Sequence, residues 1–268
     1  MKAFSWTAGA FGAVVAAGKR LEAVAYGPPP GEAPTIAMLH EGLGSVSLWR
    51  DFPQKLAAAT GFGVFAYSRA GYGASDSVDL PRPLDYMTEE ARLSLPEVLD
   101  TIGFRRGVLL GHSDGASIAA IYAGDRRDDR IAGLVLIAPH LFAEAPGLAS
   151  IAKAKRDYLT GGLRPRLMRH HAHVDAAFLG WSDSWLDARF RTWNIEEFVV
   201  RWRAPTLLIQ GADDQYGTLE QIRVIEARAS APVETLILDK CRHSPHLEKP
   251  EPTLGAVARF CAEAVKGV

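Results

Sequence analysis

The sequence predicts an α/β fold: a mostly parallel, doubly wound sheet with an N-terminal antiparallel hairpin and one inserted helical segment. Three observations carry this. Short apolar runs alternate with amphipathic helical patterns along most of the chain. The runs lack clean in–out alternation, which suits strands covered on both faces. One connection, from Pro139 to Arg203, has no strand signal and far exceeds the usual length of about 2–6 residues.

The elements follow in order. Ala13-Val14-Val15 and Leu21-Glu22-Ala23-Val24-Ala25-Tyr26 flank Ala17-Gly18-Lys19-Arg20, which reads as a β-hairpin with a glycine turn. Lys2 and the small, apolar stretch from Ala3 to Gly18 superficially resemble a secretion leader; the hairpin is the preferred reading. Pro28-Pro29-Pro30-Gly31 marks a loop. Strands are then expected at 35–39, 63–67, 107–110, 134–138, 206–210 and 234–238. Helices are expected near 49–60, 88–102, 115–124, 218–229 and 251–265. The insertion must have its own structure, with helical patterns at 148–159, 163–171 and 195–202 around a tryptophan-rich stretch. The division expected is a core of 1–139 and 204–268 with a helical cap at 140–203.

Composition narrows the class. With 268 residues and 48% hydrophobic content, the chain can bury a sizeable core as one large domain with an insertion. Thirty basic and thirty-one acidic residues nearly cancel, so charge offers no case for nucleic acid. No run of about 18 apolar, uncharged residues occurs, so no membrane span is expected. Cys241 and Cys261 allow one disulfide without implying it, and a reduced, cytoplasmic protein is expected. Nothing in the sequence speaks to oligomeric state.

The richest stretch is 108–124. An apolar run ends in Gly111-His112-Ser113-Asp114-Gly115, and a helical pattern starts at once. That is strand, sharp turn, helix, with a serine at the apex: Gly-x-Ser-x-Gly in the setting of a nucleophile elbow. The two glycines let the backbone pass where a Cβ would clash. A serine hydroxyl is a weak nucleophile until an oriented base takes its proton. Both partners are available at the ends of later strands. One strand ends in Gly211-Ala212-Asp213-Asp214, and another runs into Asp239-Lys240-Cys241-Arg242-His243, giving the order Ser, Asp, His.

With these residues the chain resembles the alpha/beta-hydrolase superfamily over nearly its full length, in its serine-nucleophile branch with a helical cap. The family's Gly-x-x-Asp implies Asp214 as the acid, with Asp213 the runner-up. Its last loop, Gly-His-x-Pro-x-x-Glu-x-Pro, aligns with Arg242-His243-Ser244-Pro245-His246-Leu247-Glu248-Lys249-Pro250, so His243 matches the base and His246 does not. Arg242 stands where the family has glycine. Ser68-Arg69-Ala70-Gly71-Tyr72-Gly73-Ala74-Ser75 resembles the family's Arg-Gly-x-Gly-x-Ser segment and reads as mostly architectural. The oxyanion hole should use the backbone N–H of Asp114 and a donor from His40-Glu41-Gly42-Leu43-Gly44. Gly42 falls on the family's donor position, Leu43 is the alternative, and Glu41 replaces the family's glycine. His40 reads as structural.

Other features have plainer readings. The Asp114 carboxylate beside a developing oxyanion needs either a structural pairing, the preferred reading, or a cationic substrate group. Trp181, Trp185 and Trp193, with Arg156, Arg164, Arg166, Arg169, Arg189 and Arg191, offer a pocket lining; packing of the tryptophans and solvation of the arginines is the preferred reading. His170, His171 and His173 do not share a helix face, so no metal site is expected. The resemblance implies a hydrolase acting on a small ester, thioester or lactone with no cofactor. Alternatives are carbon–carbon hydrolysis of a ring-fission diketo acid, or haloperoxidase, lyase or acyltransfer chemistry on the same triad.

Overall fold

In a computed structural model, residues 4–266 are described. Lys2 and Ala3 of the leader-like stretch, and the last two residues of the 204–268 segment, lie outside them. Eight strands form one sheet in the order β1-β2-β4-β3-β5-β6-β7-β8. They are β1 (Phe11–Ala16), β2 (Lys19–Tyr26), β3 (Thr35–Leu39), β4 (Gly63–Tyr67), β5 (Gly107–His112), β6 (Ile131–Ile137), β7 (Thr206–Gly211) and β8 (Val233–Leu238). β1 and β2 pair antiparallel, β2 pairs antiparallel with β4, and every other neighbour is parallel. The hairpin turn is only Ala17-Gly18, both at positive φ (46° and 71°); Lys19 and Arg20 already belong to β2. Two consecutive left-handed residues match the right-handed twist of the flanking strands.

The helices are α1 (Phe52–Thr60), α2 (Tyr86–Glu89), α3 (Leu95–Thr101), α4 (Asp114–Asp125), α5 (Ala145–Thr160), α6 (Leu163–Leu167), α7 (Val174–Leu186), α8 (Glu196–Val199), α9 (Glu220–Arg228), α10 (Pro245–Glu248) and α11 (Pro250–Lys266). Successive residues of the central strands feed opposite apolar layers. Ile36, Met38, Val64, Ala66, Val108 and Leu110 pack with Phe52 and Leu56 of α1 and Val257 and Phe260 of α11. Ala37, Leu39, Phe65 and Leu109 pack with Ala116, Ala119 and Ala120 of α4. With both faces covered, these strands show no polar alternation.

Several boundaries differ from expectation. No helix runs from residue 49, because Arg50 sits at φ 54° between a 3₁₀ turn, Val46–Trp49, and α1. The helix expected at 88–102 starts at Tyr86 and loosens into a π-helical stretch, Glu90–Ser94. Pro96 lacks the N–H that would bond back to Arg92, and its ring crowds that carbonyl. β6 starts at Ile131, through its pairing with β5, and stops before Ala138, whose φ of 48° ends the strand. β8, expected to be buried on both faces, is the sheet edge and is mostly half-buried. In the insertion, α6 stops at Leu167 instead of running to His171, and α8 covers only Glu196–Val199.

The insertion does not carry a separate core. Ile151, Tyr158, Phe178, Trp181, Trp185 and Phe190 join the same apolar cluster as α4 and the sheet. Its two ends are pinned together by an antiparallel bridge between Phe142 and Asn194. Among the described residues no helix is long and apolar enough to cross a membrane. Cys241 and Cys261 are buried and unpaired.

Candidate active site

Ser113 occupies the turn between β5 and α4 at φ 53°, ψ −119°. A non-glycine residue in this left-handed region costs about 1–3 kcal/mol and persists only where its surroundings enforce it. Here Ser113 N–H donates to Ile137 O (2.9 Å), and Ser113 O accepts from Ala116 N–H (2.8 Å). A Cβ on Gly111 would overlap Gly115 O, and one on Gly115 would overlap Leu39 O. The elbow therefore packs backbone to backbone against the end of β3. Its geometry leaves the Ser113 side chain facing a cavity.

The last turns of β7 and β8 bring the other two predicted residues together. His243 Nδ1 lies 2.8 Å from Asp214 Oδ2 and 3.0 Å from Oδ1. A carboxylate only accepts, so Nδ1 bears the proton and the Nε2 lone pair is free. Asp214 is held by Tyr216 N–H (2.8 Å) and Gln210 Nε2–H (2.8 Å). Burial pushes its carboxyl up, but the charge and hydrogen bond of His243 and the Tyr216 N–H outweigh that, and the net shift is downward. Asp213 is exposed and only its backbone joins the loop, through Cys241 O. Ser113 and His243 line the same cavity, while among the described residues no hydrogen bond closes between Ser113 Oγ and His243 Nε2. Such bonds often tighten only with substrate.

The loop after β3 is fixed by Arg69, a residue whose partners no local pattern reveals. Glu41 O accepts from Arg69 Nη2–H (3.0 Å), His40 Nδ1–H (2.6 Å) and Gly44 N–H (3.0 Å). In a trans peptide the N–H points opposite to the preceding carbonyl. Three donors on Glu41 O thus aim the Gly42 N–H away from them, on a residue that lines the cavity. A Cβ on Gly42 would overlap the Trp181 indole. His40 is structural, as expected: its Nε2 accepts from Arg69 N–H (3.0 Å), and burial holds its pKa well below the usual value. Asp114 begins α4, and its N–H has no partner within the helix.

The Asp114 carboxylate turns inward. It accepts from Tyr86 Oη–H (2.5 Å) and lies 3.9 Å from Arg69 Nη2, with both side chains 1% exposed. Trp185 Nε1–H donates to Tyr86 Oη (3.0 Å), extending the chain of bonds into the insertion. Burial raises the Asp114 carboxyl pKa against the opposing pull of Arg69 and Tyr86.

The cavity measures about 120 Å³. Its walls combine Leu43, Ile151, Trp181, Trp185 and Tyr216 with the polar Glu41, His140 and Glu144. Among the described residues, none of the insertion's arginines lines it. Arg164, Arg166 and Arg189 instead pair with Asp175, Asp157 and Asp187 on the surface. Trp193 stacks on Phe190 outside the cavity. His171 joins the insertion to the core, accepting from Gly73 N–H and donating to Leu43 O, each at 3.0 Å. His170 bonds Ser47 Oγ at 2.9 Å. Tyr72 is fully buried between Arg69 and Arg82, each guanidinium 4.9 Å from its ring centre.

A family model described as "Alpha/beta hydrolase family" matches residues 36–256. The chain belongs to the alpha/beta hydrolase family. A curated relative, epoxide hydrolase B of Mycobacterium tuberculosis, is 34% identical over 118 residues. That match covers 44% of this chain and only 32% of the relative. Among solved structures, a carboxylesterase study of Nitrososphaera gargenis superposes with a TM-score of 0.76 at 16% identity, covering 97% of this chain and 100% of that one. The enol-lactonase from Burkholderia xenovorans LB400 superposes with a TM-score of 0.72 at 18% identity, covering 93% and 99%. At these identities the likeness is one of fold.

Sequence reading overlooked His140, Glu144 and Tyr216 in the cavity and the Glu41–His112 contact. Glu41 Oε2 lies 3.5 Å from His112 Nδ1, while His112 Nε2–H donates to His243 O (2.7 Å). That pair ties the β3 loop, the elbow and the histidine loop together. The one visible signal was Glu41 itself, standing where the family has glycine.

Proposed function

We propose that this hydrolase cleaves a small carboxylic ester, thioester or lactone through an acyl-enzyme on Ser113. The observation that carries the reading is the shared cavity of Ser113 and His243, with His243 Nδ1 held 2.8 Å from Asp214. Ser113 Oγ attacks the carbonyl carbon as His243 Nε2 takes its proton. Asp214 holds the imidazole and stabilises its cation. The Gly42 and Asp114 N–H groups receive the oxyanion. The intermediate collapses, His243 protonates the leaving alcohol or thiol, and water repeats the sequence on the acyl group. The Asp114 carboxylate serves structure, pairing with Tyr86 and Arg69. Segment 140–203 acts as a cap that supplies the cavity roof through Trp181 and Trp185.

Epoxide opening fits this elbow poorly. A serine that opened an epoxide would leave an ether, which offers water no carbonyl to attack. A diketo-acid substrate would bring a carboxylate into a cavity that no lysine or arginine among the described residues lines. The test is a panel of esters, thioesters, lactones and a vinylogous diketo acid run against the wild type and Ser113→Ala, with fluorophosphonate labelling of Ser113. Ester turnover that vanishes in Ser113→Ala supports the reading. Turnover unchanged in that variant refutes it.

A further inference from the structure

The cavity walls carry charge of one sign. Glu41, Asp114 and Glu144 line it. Asp114 is matched by Arg69 behind it, and Glu41 faces His112. Glu144 is different. Its oxygens accept from Thr218 N–H (2.9 Å), Thr218 Oγ1–H (2.6 Å) and Gln221 Nε2–H (2.8 Å), all neutral donors. These bonds fix the carboxylate without cancelling its charge, and no lysine or arginine among the described residues pairs with it.

His140 supplies an independent observation. It is 5% exposed and lines the cavity, yet neither ring nitrogen has a hydrogen-bond partner among the described residues. Its ring nitrogens are not among the buried atoms left without a partner, so they open to the cavity, where a substrate N–H donor can replace water on the free lone pair. Burial, then the neighbouring His243, lowers its pKa to about 3, leaving one lone pair free at neutral pH. Its ring lies edge-on to Trp185 with centroids 5.4 Å apart. His140 and Glu144 flank one short segment: Gly217 packs so closely on His140 that a Cβ there would come within 3.0 Å of its ring, and the next residue, Thr218, donates twice to Glu144.

We infer that the substrate carries a protonated amine, received by the Glu144 carboxylate and the His140 lone pair beside the Trp185 indole. This rests on the serine-hydrolase reading above and names its substrate class. An ammonium N–H is the donor that both a carboxylate and a neutral imidazole accept, and an indole face attracts the same cation. A substrate carboxylate would meet Glu144 with no counter-charge.

The experiment compares matched esters at pH 7. 6-Aminohexyl acetate and its neutral isostere heptyl acetate place a primary ammonium, with N–H donors for both acceptors, on the alcohol side. Methyl 6-aminohexanoate and methyl heptanoate place it on the acyl side. 4-Acetoxybutanoate carries the opposite charge. The cationic member of at least one pair should be preferred by about 10- to 100-fold in kcat/KM, the scale of one hydrogen bond to a charged group, and the carboxylate ester should be the slowest. Glu144→Gln and His140→Phe should each lower that ratio; turnover of the neutral ester in the same preparation reports folding. A ratio near one in both pairs overturns the inference. So does a ratio that both variants leave unchanged, or a wild type that cleaves none of the esters. Ser113→Ala separates the two readings. If it is inactive while the wild type shows no charge preference, only the ammonium inference falls. If it cleaves every ester like the wild type, the serine mechanism falls.

Discussion

Replacing Asp214 with asparagine probes the site where its geometry is most constrained. Oδ1 accepts from Tyr216 N–H, and Oδ2 accepts from both His243 Nδ1–H and Gln210 Nε2–H. An asparagine oxygen would stay with the backbone donor, turning its NH₂ toward His243 and Gln210. Donor would face donor at 2.8 Å on both sides. His243 escapes by moving its proton to Nε2, and that nitrogen can no longer accept from Ser113. Loss of the base and of the charge facing the imidazolium should lower kcat about 10³- to 10⁴-fold, or about 4–5.5 kcal/mol of barrier. KM should change only a few-fold, since the carboxylate touches no substrate. The assay is steady-state hydrolysis of a simple aryl ester at pH 7, with circular dichroism to show that the variant is folded. A folded variant within about 10-fold of wild-type kcat would refute the assignment of Asp214.

Three further outcomes are expected. Ser113→Gly should abolish ester turnover while raising stability by about 1 kcal/mol, because glycine relieves the strain at φ 53°; a loss of stability in urea unfolding would contradict an enforced elbow. Gly42→Ala keeps the backbone N–H but should destabilise by about 1–3 kcal/mol and lower kcat as its Cβ displaces Trp181 and shifts the loop; unchanged stability and kinetics would contradict the close packing of Gly42 on Trp181. His246 packs against Trp49 and Phe52, and burial lowers its pKa to about 3. Below about pH 6.5 the unfolded chain protonates this residue while the native state does not, so its contribution to stability falls as pH drops toward 3. The loss between pH 7 and 5 is about 2 kcal/mol. His246→Phe should remove that much of the acid sensitivity in urea titrations at the two pH values, and an unchanged difference would contradict it.

What was legible in the sequence was mostly local. The strands β3 and β4 match their expected limits, because apolar runs buried on both faces end sharply where the chain leaves the sheet. The elbow was legible because its glycines, apex serine and helix start fall within a few consecutive residues. The pairing of Asp214 with His243 was legible through motifs at the ends of two strands. Other features depend on contacts between distant segments. Arg69 reaches the carbonyl of Glu41, Tyr86 reaches Asp114, and Trp185 reaches Tyr86 across 99 positions. No periodicity encodes such pairings. The failed helix start at 49 has the same character: the left-handed Arg50 is an ordinary residue in the sequence and a break only in the fold. The insertion was readable as helical, but its helix ends were not, since packing against the core sets them.

The bridge between Phe142 and Asn194 has an engineering consequence. It brings the two ends of the roof to neighbouring backbone positions, so the span the sheet must bridge between β6 and β7 is set by that clasp and not by what lies between. A replacement segment of different length or composition, joined at the same two positions, would inherit the same footing while presenting a different ceiling to Ser113. Any substitute joined there must match the apolar surface that the insertion shares with α4.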